Sequence, residues 1–384
     1  MAHHSTVFAQ LLRLVPRHRF ETLAEQHHSG RKLRSINRWS QCVGLMLGQL
    51  SGRGSLRDVI DNLDAQARRL YHLGCRRVTR STLARVNEQQ PYTLYEALFG
   101  QLYRQCQGCS GSHRFRFKNK LYSLDSSLID LSLAIFPWAD FNRGKAAMKL
   151  HVGLDHGGYL PAFATVTASK TSDVEAARTL RFPRGSIVVF DRGYNHYEWF
   201  KSLNDRGIGF VTRPHKNMDA TVTERRAGRA EAGIVADETI SLNAKKPRKL
   251  GVPPLRRVRY YDAASDRHYT FVTNITRLAA TTIAAIYKER WQVELFFKWI
   301  KQNLKIRAFL GTSRNAVLTQ IWIALCTYLL LAWLKFSARI GWSLQQMLRL
   351  LQLNLFLRRD LVSLLRGDPD DPPTLSPTPQ MQLV

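Results

Sequence analysis

The sequence predicts a mixed α/β protein with an all-α N-terminal domain, an α/β core that contains a β-rich insertion, and C-terminal helices after the core. Three observations lead to this fold class. Apolar residues recur with helical spacing in the first 110 residues, strand-like and helical runs alternate over 115–214, and strand-like runs dominate 215–282. Strands followed by alternating helices and strands indicate one sheet that helices cover.

The N-terminal domain, residues 1–110, is expected to consist of helices. Ser55 follows a Gly-Arg-Gly break and is a good helix cap, and Pro91 would end the third helix. The helices are predicted at 35–50, where the pattern is amphipathic, and at 55–63, 78–90 and 92–106.

The second and third of these helices are compatible with a DNA-reading unit similar to a helix-turn-helix. Residues in the N-terminal half of the third helix would then meet base edges. These residues are Arg80, Ser81, Thr82 and Arg85. The alternative is an ordinary helical bundle whose arginines lie on the solvent face.

The first part of the predicted core, residues 115–214, begins with three strands that would pair antiparallel. His156, Gly157 and Gly158 form a hairpin turn between the second and third strands. Strands are expected at 120–125, 148–155, 159–168, 187–190 and 208–214, and helices at 173–180 and 194–205.

Residues 215–282 are predicted to be a β-rich insertion, because this connection is too long to be a simple loop. The segment is rich in Lys and Arg and could clamp DNA, although an ordinary solvated insertion is the alternative. Its strands are expected around 238–244, 256–262 and 268–274. Helices are predicted to follow at 283–365, and a disordered tail rich in Pro and Asp at 366–384.

Two aspartates follow strand-like runs in the core. Asp125 comes after the run 120–124, and Asp191 after the wholly apolar run 187–190, with Gly193 beyond it for a turn. An unpaired buried carboxylate is expensive, so acidic residues are uncommon at the ends of core strands. Each aspartate alone is more often a turn or cap residue.

The stretch 287–301 is predicted to be one helix with two different faces. The alternative for its polar face is an ordinary solvated, charged helix surface. The polar residues lie within an arc of about 60° and are Tyr287, Arg290, Glu294 and Lys301, with Trp291 and Lys298 extending the arc. A separate core-facing stripe consists of Ile286, Val293, Phe296, Phe297, Ile300 and Leu304.

Three carboxylates, two at the ends of adjacent strands and one on a later helix, can hold two divalent ions close together. Such a pair activates a water or a 3′-hydroxyl and stabilises the leaving oxygen in an in-line phosphoryl transfer. Mg²⁺ favours few carboxylates combined with phosphate oxygens and water. Asp125, Asp191 and Glu294 are therefore predicted to be both metal ligands and catalytic residues in phosphodiester chemistry.

Asp125 in LDSS, Asp191 in FDRGY and the Y-x2-R-x3-E-x6-K helix resemble a known signature. It is that of bacterial insertion-sequence DDE transposases of the fourth insertion-sequence family, in the branch with the Tyr-Arg-Glu-Lys motif. The resemblance extends from about residue 115 to 335. It implies a ribonuclease-H-like core, two Mg²⁺ ions that Mn²⁺ can replace, cleavage at the terminal inverted repeats, and strand transfer of the 3′-hydroxyl ends into target DNA.

The resemblance also implies roles for the polar helix face and for the assembly. Tyr287, Arg290 and Lys301 are assigned to phosphates near the scissile bond, where an arginine fork and a lysine charge are suitable. Lys298 is predicted to bind DNA from the same face. Trp291 could stack on an unpaired base, or pack at the rim. A homodimer on double-stranded DNA is expected, because a two-ended element needs two active sites.

The charge balance agrees with a nucleic-acid partner, since 57 Lys and Arg stand against 29 Asp and Glu, with a net charge of +28. Five irregularly spaced cysteines and the lack of a signal-peptide pattern predict a reducing, cytoplasmic compartment. The resemblance implies that the protein is bacterial and associated with the nucleoid. The uncharged stretch 316–334 is predicted to be a buried helix and not a membrane span. No membrane partner is expected.

Two alternatives to a transposase remain open from the sequence. A metal-dependent nuclease on the same fold would cleave DNA without joining it. A DNA-binding regulator with idle carboxylates would keep every activity after Asp191→Asn. The complete set of three carboxylates argues against the regulator, and the helical reader and insertion argue against the nuclease.

Overall fold

The computed structural model describes residues 5–142, 145–226 and 233–369. Most of the predicted C-terminal tail, residues 370–384, lies outside the described residues. The chain divides into two compact units, of which the first is Met1–Leu102, Asn303–Gly311 and Asn315–Val384, and the second is Tyr103–Gln302 and Thr312–Arg314.

The first unit contains helices and no strand among its described residues. The helices predicted at 55–63 and 78–90 are confirmed, and the Ser55 side chain accepts the Asp58 N–H as the expected cap. In chain order the helices are α1 Val7–Leu12, α2 Arg17–Gln26, α3 Arg38–Leu50, α4 Leu56–Ala65, α5 Arg80–Gln89, α6 Thr93–Gln107 (which ends in the second unit) and, after the second unit, α12 Arg314–Ser337, α13 Leu344–Asn354 and α14 Leu361–Arg366.

The helix predicted at 35–50 is confirmed as α3, but α3 is buried on every side, whereas its amphipathic pattern suggests a face open to solvent. Its one charged residue, Arg38, donates to the side-chain oxygen of Gln90 at 3.1 Å and to the Pro91 carbonyl at 2.7 Å. Gln41 donates to the side chain of Asn87 at 2.8 Å. These neighbours bond to most of the polar atoms of Arg38 and Gln41, although Nε of Arg38 and Oε1 of Gln41 are buried without a partner. The bonds that do form offset much of the cost of burying the polar face.

The C-terminal helices pack with the first helix of the chain. The N–H groups of Val7 and Phe8 donate to the carbonyls of Leu357 and Leu355, at 2.9 and 2.8 Å. The segment 283–365 was expected as one region, but the structure divides it between the two units.

Helix α12 is long and apolar enough to cross a membrane, and it is the one described helix of this kind. The most apolar 18-residue stretch of this helix is 94% buried inside the protein, in agreement with the predicted buried helix.

The second unit is built on one ten-stranded sheet. Its strands are β1 Leu121–Leu131, β2 Asp140–Asn142, β3 Lys145–Asp155, β4 Leu160–Ala168, β5 Ile187–Phe190, β6 Gly209–Thr212, β7 Ala220–Arg226, β8 Ile234–Leu242, β9 Leu255–Asp262 and β10 Arg267–Thr273. Its helices are α7 Asp173–Thr179, α8 Tyr197–Asp205, α9 Lys245–Leu250, α10 Ala280–Glu289 and α11 Trp291–Asn303.

The strand order is β2-β3-β1-β5-β6-β10-β9-β8-β7, with β4 also paired to β3. Strand β1 is antiparallel to β3 and parallel to β5, and β5 is parallel to β6. The strands of the predicted insertion continue this sheet, because β10 pairs antiparallel with β6. Helix α10 covers one face, where Ile283 and Ile286 pack against Val211 and Val258.

Candidate active site

The two aspartates occupy equivalent positions on adjacent strands. Leu124 is opposite Phe190 in the parallel β1–β5 pair, and Asp125 and Asp191 are the residues that directly follow these two. Asp191 follows the end of β5 as predicted. Asp125 does not end its strand, because β1 continues to Leu131 along β3. The prediction of a strand end at Asp125 is therefore wrong, since β3 still supplies backbone partners where β5 has ended.

The polar helix predicted at 287–301 is two helices that meet at Arg290. The N–H groups of Arg290 and Val293 bond to carbonyls three residues earlier, those of Tyr287 and Arg290, at 3.1 and 3.2 Å. This tighter turn changes the angular relation between the residues before and after it. All six residues of the predicted apolar stripe are buried.

Arg290 connects two of the three predicted metal ligands. Its Nη1 lies 3.3 Å from Oδ2 of Asp125, and its Nη2 lies 2.5 Å from Oε1 of Glu294. The arginine side chain is only 16% exposed, against 18% for Asp125 and 33% for Glu294. The junction between α10 and α11 thus brings a guanidinium against carboxylates from β1 and α11.

The carboxyl of Asp125 is unusually easy to protonate. Burial raises its pKa from 3.8 to about 7, although the Ser126 N–H and Arg290 oppose the shift. The nearby carboxylates of Asp191 and Glu294 raise this pKa further. Their influence indicates that all three carboxylates share one electrostatic environment, which a single arginine does not neutralise.

Asp191 is held by the turn that follows β5. Its Oδ1 accepts the Gly193 N–H at 2.9 Å, and its backbone carbonyl accepts the Thr212 hydroxyl at 3.2 Å. A Cβ on Gly193 would lie 3.1 Å from that same Oδ1, closer than side chains usually approach. The glycine in FDRGY therefore leaves space for the carboxylate as well as making the turn.

Sequence reasoning missed Asp173, the first residue of α7. Its Oδ1 accepts the Ser126 hydroxyl at 2.8 Å and the Lys149 ammonium at 3.1 Å. His151, also close to Asp173 at 3.7 Å, is buried, and burial lowers its pKa to about 4. Asp173 follows a Ser172 cap, so its sequence context indicates only a helix start. Pairing of β1 with β3 brings Ser126 and Lys149 to Asp173, and this pairing produces no pattern in the sequence around Asp173.

A second missed network anchors the end of α10. Glu289 is buried and lies 2.6 Å from Arg114 and 3.6 Å from Nδ1 of His156, whose Nε2 is 2.6 Å from the Ser123 hydroxyl. Ser123 is fully buried and cannot reach a substrate. This Ser-His-Glu arrangement therefore joins β1 to the residue before Arg290 and fixes the helix junction.

The other four residues of the predicted polar face differ in burial and in contacts. Tyr287 is half-buried against Phe271, with ring centroids 4.9 Å apart, and Lys301 donates to the Leu128 carbonyl at 2.7 Å. Lys298 is exposed, and Trp291 is 55% exposed.

A cavity of about 390 Å³ adjoins this face. Aromatic residues, among them Tyr260, Tyr269 and Trp291, line it together with the cations Arg213, Lys288 and Arg290.

The four residues predicted to read bases lie in the first unit, at the start of α5. Arg80, Ser81 and Arg85 are exposed, whereas Thr82 is half-buried with its hydroxyl 3.0 Å from the capping Thr79 hydroxyl. Helices α4 and α5 share a small core, and a 3-10 helix at Ala67–Leu73 separates them. This connection is longer than the turn of a simple helix-turn-helix.

The chemistry of the three carboxylates suits a hard divalent cation, which prefers oxygen ligands. Among the residues described, no group of three His, Cys, Asp or Glu side chains is arranged to hold a metal ion as it stands. The guanidinium of Arg290 already lies against two of the three carboxylates. A positive group is therefore stable there, and Asp125, Asp191 and Glu294 could hold a metal after Arg290 turns away.

Comparison with known proteins identifies two matched regions. The family model described as a transposase DDE domain matches residues 117–330, and a domain of unknown function matches residues 3–76.

Three relatives carry transposase names. The y4zB protein of Sinorhizobium fredii is 35% identical over 76% of this chain and 81% of its own length. The protein for insertion sequence IS5377 of Geobacillus stearothermophilus is 29% identical over 68% of each chain. That for IS4SA of Synechocystis is 36% identical over 61% of this chain and 65% of its own.

Among solved structures, the piggyBac transposase synaptic complex with hairpin DNA aligns with 96% of this chain and 81% of its own. The TM-score of 0.42 and the 12% identity are too low to establish a shared fold. The DDE-domain match, in contrast, covers more than half of the chain and contains Asp125, Asp191 and Glu294. The protein is a DDE transposase of bacterial insertion sequences, a family of DNA-acting enzymes that use a divalent metal.

Proposed function

We propose that this transposase belongs to the Tyr-Arg-Glu-Lys branch of the fourth insertion-sequence family and has a ribonuclease-H-like core. Support comes from the sheet, in which antiparallel β1 and β3 precede parallel β5 and β6. Further support comes from Arg290, which contacts both the first aspartate and the glutamate of the signature.

The proposed reaction is cleavage at the terminal inverted repeats followed by strand transfer. The adjacent positions of Asp125 and Asp191, with Glu294 joined to Asp125 through Arg290, are the observation that carries this proposal. Two Mg²⁺ ions, or Mn²⁺ in their place, would supply activation of the nucleophile and stabilisation of the leaving oxygen. Asp125, Asp191 and Glu294 would hold them.

The first step breaks a phosphodiester bond. Water attacks the phosphorus at the element end, and the bond to the 3′ oxygen breaks to free a 3′-hydroxyl. In the second step that hydroxyl attacks a phosphorus of the target, and a new bond forms as the target's own 3′ oxygen leaves. Arg290, released from the carboxylates, would donate to a phosphate, with Tyr287, Lys298 and Lys301 contributing along the same face.

Trp291 has the exposure needed for a contact with DNA. Its side chain borders the aromatic and cationic cavity described above. A large, exposed ring beside positive charge suits stacking on an unpaired base. We propose this role in preference to rim packing, because 55% of the side chain is open to solvent.

The helices of residues 1–110 are proposed to bind the inverted repeats, with Arg80, Ser81, Thr82 and Arg85 on the DNA-facing side of α5. Three of the four are exposed, which supports the proposal. The complete enzyme is proposed to act as a homodimer on DNA in the bacterial cytoplasm, associated with the nucleoid.

The test is an in vitro reaction with Mg²⁺ on DNA that carries the flanking inverted repeats. Wild type is compared with Asp191→Asn, and products are sequenced. We expect end cleavage and insertion by wild type, and a loss of about 10²–10³-fold in the variant, as for other groups that stabilise transition-state charge. Cleavage without joining would favour a nuclease. Binding without cleavage, unchanged in the variant, would favour a regulator.

A further inference from the structure

A second pocket, of about 520 Å³, begins one residue after Asp191. Strands β5 and β6 are parallel neighbours, so the turns that follow them meet at the same sheet edge as the catalytic aspartate. The pocket is lined by Arg192, Tyr197, His215, Lys216, Asn217 and Met218.

The two turns that form this pocket are tied together. The Asn195 side chain donates to the Arg213 carbonyl at 2.7 Å and accepts the Thr212 hydroxyl at 2.9 Å. The same hydroxyl lies 3.2 Å from the Asp191 carbonyl. Any group bound between the turns would therefore be held in a fixed relation to Asp191.

The charges of this pocket are unbalanced. Its lining contains an arginine, a lysine and a histidine but no carboxylate. No hydrogen bond or ion pair within the described part of the chain engages the side chain of Arg192, His215 or Lys216, and Nε of Arg192 is buried without a partner. A buried donor without a partner is costly unless a ligand satisfies it.

Two other arginines of this unit are neutralised by ion pairs within the fold. Arg178 lies 2.6 Å from Glu198, and Arg257 lies 2.8 Å from Glu238. Arg192 and Lys216 lack such partners and stand beside the active site. Their donors and positive charge suit the oxygen atoms of a phosphate group.

We propose that this pocket binds the phosphodiester backbone of the second DNA segment in the site, meaning DNA other than the element's own end. This inference rests on the proposed function. An in-line transfer has DNA on both the attacking and the leaving side of the phosphorus. The proposed function assigns Arg290, Trp291 and the aromatic cavity, which lie along α10 and α11, to the element's own end. The pocket after Asp191 is therefore assigned to the other DNA segment. Flanking DNA before cleavage and target DNA afterwards share this chemistry.

The first experiment measures binding and does not depend on catalysis. Arg192→Gln/Lys216→Gln is compared with wild type for binding to a long duplex over a range of salt concentrations. Each lost phosphate contact reduces the slope of log affinity against log salt by about 1, so the slope should fall by about 2. The control is Lys118→Gln/Arg184→Gln, which removes the same charge from exposed positions before the other ends of β1 and β5. The control should keep the wild-type slope.

The second experiment identifies which DNA the pocket holds. One substrate is an inverted repeat with attached flank, scored for cleavage, and the other is a pre-cleaved end, scored for joining to a plasmid. Joining that falls about tenfold or more with normal cleavage assigns the pocket to the target. Cleavage that falls while pre-cleaved ends still join assigns it to the flank, and loss of both assigns it to both.

An unchanged salt slope overturns the proposal whatever the activities are. A reduced slope with both reactions within twofold of wild type also overturns it, because DNA would then bind there outside the reaction. If wild type neither cleaves nor joins, the proposed function fails, and the salt slope still decides whether the pocket binds a DNA backbone.

Discussion

Two arginine–carboxylate sites in the second unit differ in how completely the arginine is paired. Arg256, 4% exposed, makes two bonds to Asp237, at 2.8 and 2.7 Å, and donates to the carbonyls of Ile275 and Leu278. Arg290 makes a single contact with each of two carboxylates, at 3.3 Å to Asp125 and 2.5 Å to Glu294, and its Nε is buried without a partner.

The charges are balanced at the Arg256 site and are not balanced at the Arg290 site. One positive charge balances one negative charge at Arg256, whereas Arg290 contacts two carboxylates, and a third, that of Asp191, acts on Asp125. A closed, buried pair contributes to the native structure, because loss of one partner leaves an uncompensated charge. The open cluster keeps a negative excess that a proton on Asp125 or an added cation can neutralise. The difference separates a structural ion pair from a cluster that we propose to hold metal.

The largest expected effect comes from breaking the closed pair. Arg256→Ala would leave Asp237 buried without its partner and lower the free energy of unfolding by about 3–5 kcal/mol. Thermal or urea denaturation measures this change. Replacing both residues, as in Arg256→Met/Asp237→Leu, should recover most of the loss. At pH 6, Arg290→Ala should cost less than about 1 kcal/mol, since Asp125 can take up a proton. Equal losses of stability in Arg256→Ala and Arg290→Ala would contradict the proposed difference between the two sites.

An intermediate effect is expected from the pH dependence of the open cluster. The pKa of Asp125 is raised from 3.8 to about 7 in the folded protein, so its carboxyl favours folding below pH 3.8 and this contribution is lost as the pH rises to 7. Without metal at pH 8, Asp125→Asn should therefore be more stable than wild type by roughly 4 kcal/mol. The advantage should disappear near pH 4. A difference in stability that stays constant from pH 4 to 8 would contradict the raised pKa.

The smallest expected effect concerns competition between Arg290 and the metal. Removal of the guanidinium in Arg290→Ala should increase the affinity for Mg²⁺ about tenfold, because a cation no longer has to be displaced from Asp125 and Glu294. Titration calorimetry without DNA measures this affinity apart from catalysis. Lys298→Ala removes an exposed cation from α11 and should change the affinity less than twofold. An unchanged or weaker affinity in Arg290→Ala would show that Arg290 does not compete.

Much of the local structure was predictable from sequence. The apolar run before Asp191 is a strand, the hairpin near Gly158 joins β3 and β4, and the stripe from Ile286 to Leu304 is buried. Each follows from short-range periodicity or turn chemistry. The missed elements have weaker patterns. Strand β7 is mostly polar, and α9 has only six residues, one of them a proline.

The sequence by itself determined the types and the order of the residues that are proposed to carry the chemistry. Asp125, Asp191 and the Tyr-Arg-Glu-Lys spacing led to a DDE transposase because their chemistry and order can be read along the chain. Tertiary structure alone decided which side chains meet. It brought Arg290 to Asp125, joined Asp173 to Ser126, continued the sheet from β6 into β10, and packed α1 with the C-terminal segment. These contacts link residues far apart in the chain, and they depend on strand register and helix junctions, which local periodicity does not specify.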